Sequence, residues 1–107
     1  MTTTPELAEK IAHPDRDELE LSAVLHALSD PVRLKMVAAL ANEREQTCAS
    51  FDVPVTKSTC THHFKVLREA GVIRQRQEGT ARLNTLRRED LDARFPGLLD
   101  SILRSSS

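Results

Sequence analysis

The stretch VTKSTCTHHFKVLREAG, residues 55–71, concentrates polar side chains that could do chemistry. It holds hydroxyls, imidazoles, a thiol and lysines, and these groups suit two kinds of site. Hydroxyl, imidazole and ammonium groups donate hydrogen bonds to phosphates and to base edges. Thiolate and imidazole groups instead ligate metal ions such as zinc. How the residues are spaced along the chain helps to separate these two uses.

The thiol and imidazole groups match no known zinc pattern. Cys60 would have to combine with Cys48 and with His62 or His63, and two adjacent histidines point about 100° apart on a helix. We expect His62 on the surface, His63 packed and hydrogen-bonded, and Cys60 as a small apolar filler. The sequence predicts no metal site and no cofactor. A thiol-based redox or metal sensor that uses Cys48 and Cys60 stays as an alternative.

A helix over residues 57–70 sorts the stretch into two faces. Thr56 is a suitable cap for its start, and Gly71 is a suitable left-handed terminator. At 100° per residue, Cys60 and Phe64 fall on the core face. The opposite face carries its polar groups in the first half of the helix, and these are Ser58, Thr61, His62 and Lys65. A helix about 21 Å long can enter the ~12 Å wide major groove of DNA with this half leading.

The net charge of -1 is unevenly distributed along the chain. Residues 56–88 carry a net charge of +6, whereas residues 1–55 carry -5 and residues 89–107 carry -2. A basic block between acidic ones favours one face that meets a polyanion. From charge alone, a merely solvated surface is an equal alternative.

Two helices are predicted ahead of this one. Residues 15–28 place apolar side chains at helical spacing and gather acidic ones in the first turn. Asp30 is a suitable N-cap and Pro31 a suitable first residue for a second helix that ends near Ala41. Residues 1–14 are expected to be an N-terminal extension with at most a short helix.

A hairpin and a C-terminal helical segment are predicted behind it. Residues 72–77 and 81–86 favour two strands, with Gly79 in the turn between them. The C-terminal segment has apolar side chains at helical spacing, and Pro96 is expected to kink or split it. With few aromatic residues, a core of Leu, Val, Ile and Ala favours a mainly α fold of the α+β class.

The length of 107 residues indicates one domain, which we place at 15–104 with a disordered tail at 105–107. Such a small core is expected to be shared with a second subunit. No apolar run approaches the ~20 residues of a membrane span, and the opening residues lack the pattern of a signal peptide. We therefore expect a cytoplasmic protein with no membrane partner.

Two motifs, ALSDPVRL and STCTHHFKVLREAGVI, occur in an order and at a spacing that resemble the ArsR-type winged helix-turn-helix repressors. The segment RQRQEGTARLNTL is similar to the wing of that family, and the resemblance covers about residues 21–86. It implies a winged helix-turn-helix fold with a two-stranded hairpin wing, and helices at both ends that form a dimer interface. The segment CASFDVPV departs from the family, since it replaces the helix that normally precedes the recognition helix.

The resemblance also implies which residues act. Those facing the major groove would be Lys57, Ser58, Thr59, Thr61, His62 and Lys65. Those of the wing that touch the DNA backbone or minor groove would be Arg76, Thr80 and Arg82. Those of the dimer interface would be Leu21, Leu25, Leu91, Leu98, Leu99 and Ile102. The C-terminal helices contain no histidine or cysteine, so the usual metal-sensing ligands of the family are absent there.

We therefore expect a homodimeric repressor of transcription that binds double-stranded DNA at an inverted repeat, with its effector left open. Catalysis is not expected, because the chain has no Gly-rich phosphate loop, nucleophile elbow or carboxylate pair placed by a motif. The alternative is a winged helix that binds a protein or a small molecule and does not touch DNA.

Overall fold

The computed structural model describes residues 11–42 and 56–106. A 3₁₀ turn at Arg16–Glu18 precedes five α-helices and a two-stranded antiparallel sheet in this part of the chain. The elements are α1 Leu21–Ala27, α2 Pro31–Asn42, α3 Lys57–Ala70, β1 Ile73–Glu78, β2 Ala81–Leu86, α4 Arg88–Arg94 and α5 Leu98–Ser106. The predicted mainly helical winged architecture is confirmed. Within the two described ranges, no helix is long and apolar enough to cross a membrane.

The prediction of one continuous helix over 15–28 is wrong. Only a 3₁₀ turn forms first, and it is closed by the backbone N–H of Asp15, which donates to Glu18 Oε1 at 2.8 Å. The backbone at Leu19 and Glu20 is extended, and α1 begins at Leu21. Leu19 is 1% exposed, so the chain leaves the helical path to place this side chain in the core.

Helix α2 begins as predicted, with Asp30 as its cap and Pro31 as its first residue. Asp30 Oδ2 accepts from the backbone N–H groups of Val32 at 2.9 Å and Arg33 at 3.0 Å. These are two of the donors that a helix start leaves without an intrahelical partner.

Helix α3 has the bounds and both end structures that the sequence predicts. Thr56 Oγ1 accepts from the backbone N–H of Thr59 at 3.2 Å. Gly71 ends the helix with φ 86, and the N–H of Val72 donates back to Leu67 O at 2.9 Å. This reversal directs the chain straight into the hairpin.

Strands β1 and β2 pair in a register that sets Gln75 opposite Asn84, with Gly79 at φ 61 in the turn. Strand β1 starts at Ile73, one residue later than predicted. Val72 is excluded because its N–H closes α3 and its carbonyl accepts from Arg87 N at 2.9 Å.

The C-terminal segment is split at Pro96 and Gly97, as the proline predicts, with Gly97 at φ 82. Helix α5 runs to Ser106 and so includes residues 105 and 106 of the tail that the sequence predicts to be disordered. Ile102 and Leu103 pack against the core and hold this last stretch in place. Residue 107, residues 1–10 of the predicted extension at 1–14, Cys48 and the segment CASFDVPV lie outside the described residues.

Candidate functional site

Helix α3 turns one face into the core and the other to solvent. Cys60 and Phe64 are 3% and 1% exposed on the inner face, so Cys60 lies in the core as predicted. In the first half of the outer face, Ser58, Thr61, His62 and Lys65 are exposed. The polar first half of the helix therefore stands open to a ligand.

The hydroxyls at the start of α3 form a small network. Thr56 Oγ1 lies 2.9 Å from Thr59 Oγ1 and 3.3 Å from Ser58 Oγ. Thr59 is exposed but takes part in capping the helix through both its N–H and its hydroxyl. Its hydroxyl still has acceptor or donor capacity to offer, because a hydroxyl makes more than one hydrogen bond.

The wing carries the three exposed residues predicted from its sequence, Arg76, Thr80 and Arg82. Arg82 Nε donates to Gln77 Oε1 at 3.3 Å, and Arg76 Nη2 lies 3.6 Å from Glu78 Oε2. Exposed pairs of this kind contribute little to stability, so both guanidinium groups can turn to a phosphate at small cost.

Fewer of the basic side chains in residues 56–88 are available to a ligand than the sequence alone suggests. Four of them bind other parts of the protein, and these are Arg68, Arg74, Arg87 and Arg88. The side chain of Arg87 is 4% exposed and lies 2.8 Å from Asp90. Burial tends to raise the pKa of Asp90, but hydrogen bonds and charges from Arg16 and Arg87 outweigh it and leave this pKa below its usual value.

His63 lies inside the protein and is hydrogen-bonded, as predicted. It is 9% exposed, its Nδ1 is 3.0 Å from Arg33 Nη1, and its Nε2 is 4.0 Å from Asp30 Oδ2. Because a guanidinium is always a donor, Nδ1 must accept, which requires the neutral ring with its proton on Nε2. Burial is the largest influence on His63 and lowers its pKa. The charges of Arg33 and His62 lower this pKa further, whereas the charge of Asp30 raises it.

A cluster of hydrogen-bonded polar side chains lies at the base of the wing, and the sequence did not predict it. Gln75 and Asn84 are 5% and 1% exposed, and Gln75 Nε2 donates to Asn84 Oδ1 at 2.7 Å. Arg68 Nη1 donates to Gln75 Oε1 at 2.9 Å, and the backbone N–H of Gln75 donates to His13 Nε2 at 2.9 Å. The sequence analysis predicted no register for the hairpin, and the observed register is what sets Gln75 opposite Asn84.

The six leucine and isoleucine residues predicted at a dimer interface fall into three groups. Leu21 and Leu25 are 46% and 45% exposed, whereas Leu98 and Ile102 are partly buried. Leu91 and Leu99 are each 2% exposed, and the interface role predicted for them stays a prediction. Both side chains belong to the core of their own subunit.

An apolar groove lies between α1, α2 and α5. It has a volume of about 330 Å³ and is lined by Leu25, Leu28, Leu34, Ser101, Ile102 and Ser105. Among the residues of 11–42 and 56–106, no group of three or more His, Cys, Asp or Glu side chains is placed to hold a metal ion.

Comparison with known proteins gives a consistent picture. A helix-turn-helix domain model matches residues 28–76. The HTH-type transcriptional regulator YceK of Bacillus subtilis (strain 168) is 29% identical over 89 residues, which is 80% of this chain and 89% of that protein.

Three solved structures are also similar. A possible transcriptional regulator for arsenical resistance is 31% identical with a TM-score of 0.59, over 77% of this chain and 84% of its own. The transcriptional repressor BigR from Xylella fastidiosa is 25% identical with a TM-score of 0.58, and the match covers 87% of this chain and 97% of BigR. An ArsR family transcriptional regulator that is 21% identical has a TM-score of 0.64, over 81% and 97%, and shows the shared fold.

Proposed function

Because the chain belongs to the ArsR-type winged helix-turn-helix family, whose members are DNA-binding transcriptional regulators and not enzymes, we propose that it is a repressor. In this proposal it acts as a homodimer on an inverted-repeat operator. A bound dimer prevents transcription by occupying the DNA that the polymerase needs.

The first half of α3 enters the major groove. The residues that meet base edges and phosphates there are Lys57, Ser58, Thr59, Thr61, His62 and Lys65. The observation that carries the proposal is that the outer face of α3 is polar and exposed in its leading half, directly opposite a buried apolar face. The fourteen-residue helix is about 21 Å long, and it fits a groove ~12 Å wide when its N-terminal half goes in first.

His62 and Lys65 have different roles on this face. The imidazole of His62 can donate to or accept from a base edge, so it contributes to sequence preference. Lys65 supplies a charge that binds phosphate or the acceptor edge of guanine. Glu69, at the far end of the face, is exposed and repels phosphate, which favours insertion by the leading half.

The wing supplies contacts that do not depend on sequence. Arg76, Thr80 and Arg82 lie exposed on the hairpin and bind the DNA backbone or the minor groove. Such contacts set the register of the protein on the duplex.

A second subunit completes the operator contact. Leu21 and Leu25 on α1, together with the partly buried Leu98 and Ile102 on α5, form the apolar surface that pairs across the two-fold axis. Two recognition helices then meet half-sites about one helical turn apart. The dimer gains affinity because the second half-site binds at high effective concentration.

The test is binding of the purified chain to the duplex upstream of its own gene, measured over a range of salt concentrations. Affinity should fall steeply between low and physiological salt. His62→Ala should change which bases are preferred, and Arg82→Ala should weaken all duplexes alike and reduce the salt slope by about 1. Arg104→Ala, an exposed basic position at the end of α5, is the matched control and should behave like the parent.

Two results would count against the proposal. An affinity for duplex that is weak at low salt and insensitive to salt would favour a module that binds a protein or small molecule. Unchanged preference and unchanged slope in both variants would mean that the reading face is assigned wrongly.

A further inference from the structure

The base of the wing is held by hydrogen bonds where apolar packing would be expected. Gln75 and Asn84 face each other across the two strands and are 5% and 1% exposed. The inner face of a hairpin that packs on a core usually carries apolar residues. Buried polar side chains persist when each finds a partner, and here the amide of Gln75 donates to Asn84 Oδ1 at 2.7 Å.

Gln75 connects this pair to the recognition helix. Its Oε1 accepts from Arg68 Nη1 at 2.9 Å, and Arg68 belongs to the last turn of α3. Its backbone N–H donates to His13 Nε2 at 2.9 Å, which attaches the segment before α1 to the outer edge of β1. One residue thus contacts α3, the other wing strand and the N-terminal segment.

These bonds restrict how the wing can move relative to α3. Apolar contacts tolerate sliding, whereas hydrogen bonds are lost when distance or angle departs from a narrow range. From Gln75 to Gly79 at the tip, the strand extends about 14 Å. A rotation of roughly 20° at the base would move the tip by about 5 Å, which exceeds the reach of a hydrogen bond.

We infer that Gln75 is a positioning residue that sets the angle between α3 and the wing. It thereby holds the exposed Arg82 where it can bind the duplex while α3 lies in the groove, and it does not touch DNA itself. The inference rests on the proposed DNA-binding function, and it adds a determinant that lies in the interior of the protein.

A double-mutant comparison tests it. Duplex affinity is measured over a range of salt for the parent, Gln75→Leu, Arg82→Ala and the double variant, at a temperature where all are folded. Gln75→Leu should reduce the salt slope by at least about 1, the loss that Arg82→Ala causes, because the displaced wing also carries Arg76. The double variant should bind within about twofold of the weaker single variant, because both changes remove the same contact.

Two controls accompany this comparison. Gln75→Glu keeps an acceptor for Arg68 and should retain most of the parent's slope, since the Asn84 amide can turn to donate to it. Lys65→Ala combined with Gln75→Leu should give the product of the two separate losses, because Lys65 acts from α3. If Gln75→Leu only destabilised the protein, it would lower the melting temperature and leave the salt slope of the folded variant unchanged. That result would overturn the inference. Independent effects of Gln75→Leu and Arg82→Ala on duplex affinity would also overturn it.

A measurement without DNA separates this inference from the proposed function. If Arg82→Ala leaves affinity and slope unchanged, the proposed wing contact fails, and residual dipolar couplings then decide the role of Gln75. Amides of α3 and of the wing should fit one alignment tensor in the parent and in Gln75→Glu, but not in Gln75→Leu. A single shared tensor in Gln75→Leu would overturn the inference.

Should Gln75→Leu fail to fold, Arg68→Met removes the same bond from the side of the helix and is measured in the same two ways. It is expected to reproduce the reduced slope and the separate tensors. Parental behaviour of Arg68→Met in both measurements would overturn the inference.

Discussion

The α-carbon of Gly71 faces the side chain of Leu19 with no room between them for a methyl group. Gly71 is at φ 86, the left-handed conformation that ends α3, and Leu19 is 1% exposed. The contact brings the residue that breaks the N-terminal helical stretch against the residue that ends the recognition helix. Both irregularities of the backbone therefore serve the same packing contact.

Gly71→Ala should lower the free energy of unfolding by about 2–4 kcal/mol, because left-handed strain adds to overpacking against Leu19. Gly79→Ala is the matched control, since Gly79 also has a positive φ, of 61, but has open space around its α-carbon. It should cost only about 1–2 kcal/mol. Urea unfolding followed by far-UV circular dichroism measures both, and equal losses would show that Leu19 does not limit the space at Gly71.

Arg33 joins α2 to the end of α1 and to α3. It is 8% exposed and donates to Ala27 O at 2.6 Å, to His63 Nδ1 at 3.0 Å and to His26 O at 3.4 Å. Arg33→Met should cost about 2–4 kcal/mol of unfolding free energy, because it leaves buried acceptors without donors. Lys35→Met, at an exposed position of the same helix, should change it by less than about 0.5 kcal/mol. Similar midpoints for the two variants in urea would contradict this assignment.

Two histidines should make stability depend on pH. The pKa of His63 is lowered mainly by burial, and the pKa of His13 is lowered by burial and by the charges of Arg74, Arg68 and Arg87. Below the unfolded-state value of 6.5, the unfolded chain binds protons that the folded chain does not. The contribution of the two neutral histidines to the free energy of unfolding is therefore complete above pH 6.5. It decreases as the pH falls from 6.5 through their lowered folded-state pKa values.

We expect the free energy of unfolding to decrease from about pH 7.5 to about pH 5, and His63→Asn to show a smaller decrease. Asparagine is the informative replacement because its Oδ1 can accept from Arg33 in place of Nδ1 and does not titrate. Parallel pH profiles for the parent and His63→Asn would show that protonation of His63 is not linked to folding.

The elements that the sequence predicted best are those whose signals are local. Helix α3 has its cap at Thr56, its terminator at Gly71 and a clear periodicity between them, and the structure gives it the predicted bounds. The split at Pro96 is local in the same sense, because proline removes a helix donor wherever it stands.

What the sequence did not predict depends on contacts between distant residues. The break in the helical stretch at Leu19 follows from the packing of Leu19 against Gly71, and no local sequence pattern indicates this contact. The inward positions of the wing hold Gln75 and Asn84 because Gln75 donates to Asn84 and accepts from Arg68. Leu91 shares the helical spacing of an interface residue, and only the folded chain shows that it is buried within its own subunit.

Leu25→Glu tests the proposed dimer, because the side chain of Leu25 is 45% exposed on α1 beside the apolar groove. A charge there should be tolerated by the folded subunit but would be buried without a partner between two subunits. Sedimentation velocity should show a dimer for the parent and a monomer for Leu25→Glu. Operator affinity should fall by about 100-fold or more, since the gain from joining two half-sites is lost. Ala93→Glu, which adds the same charge at an exposed position of α4 away from the proposed interface, should stay dimeric. A dimeric Leu25→Glu with parental operator affinity would place the subunit contact elsewhere.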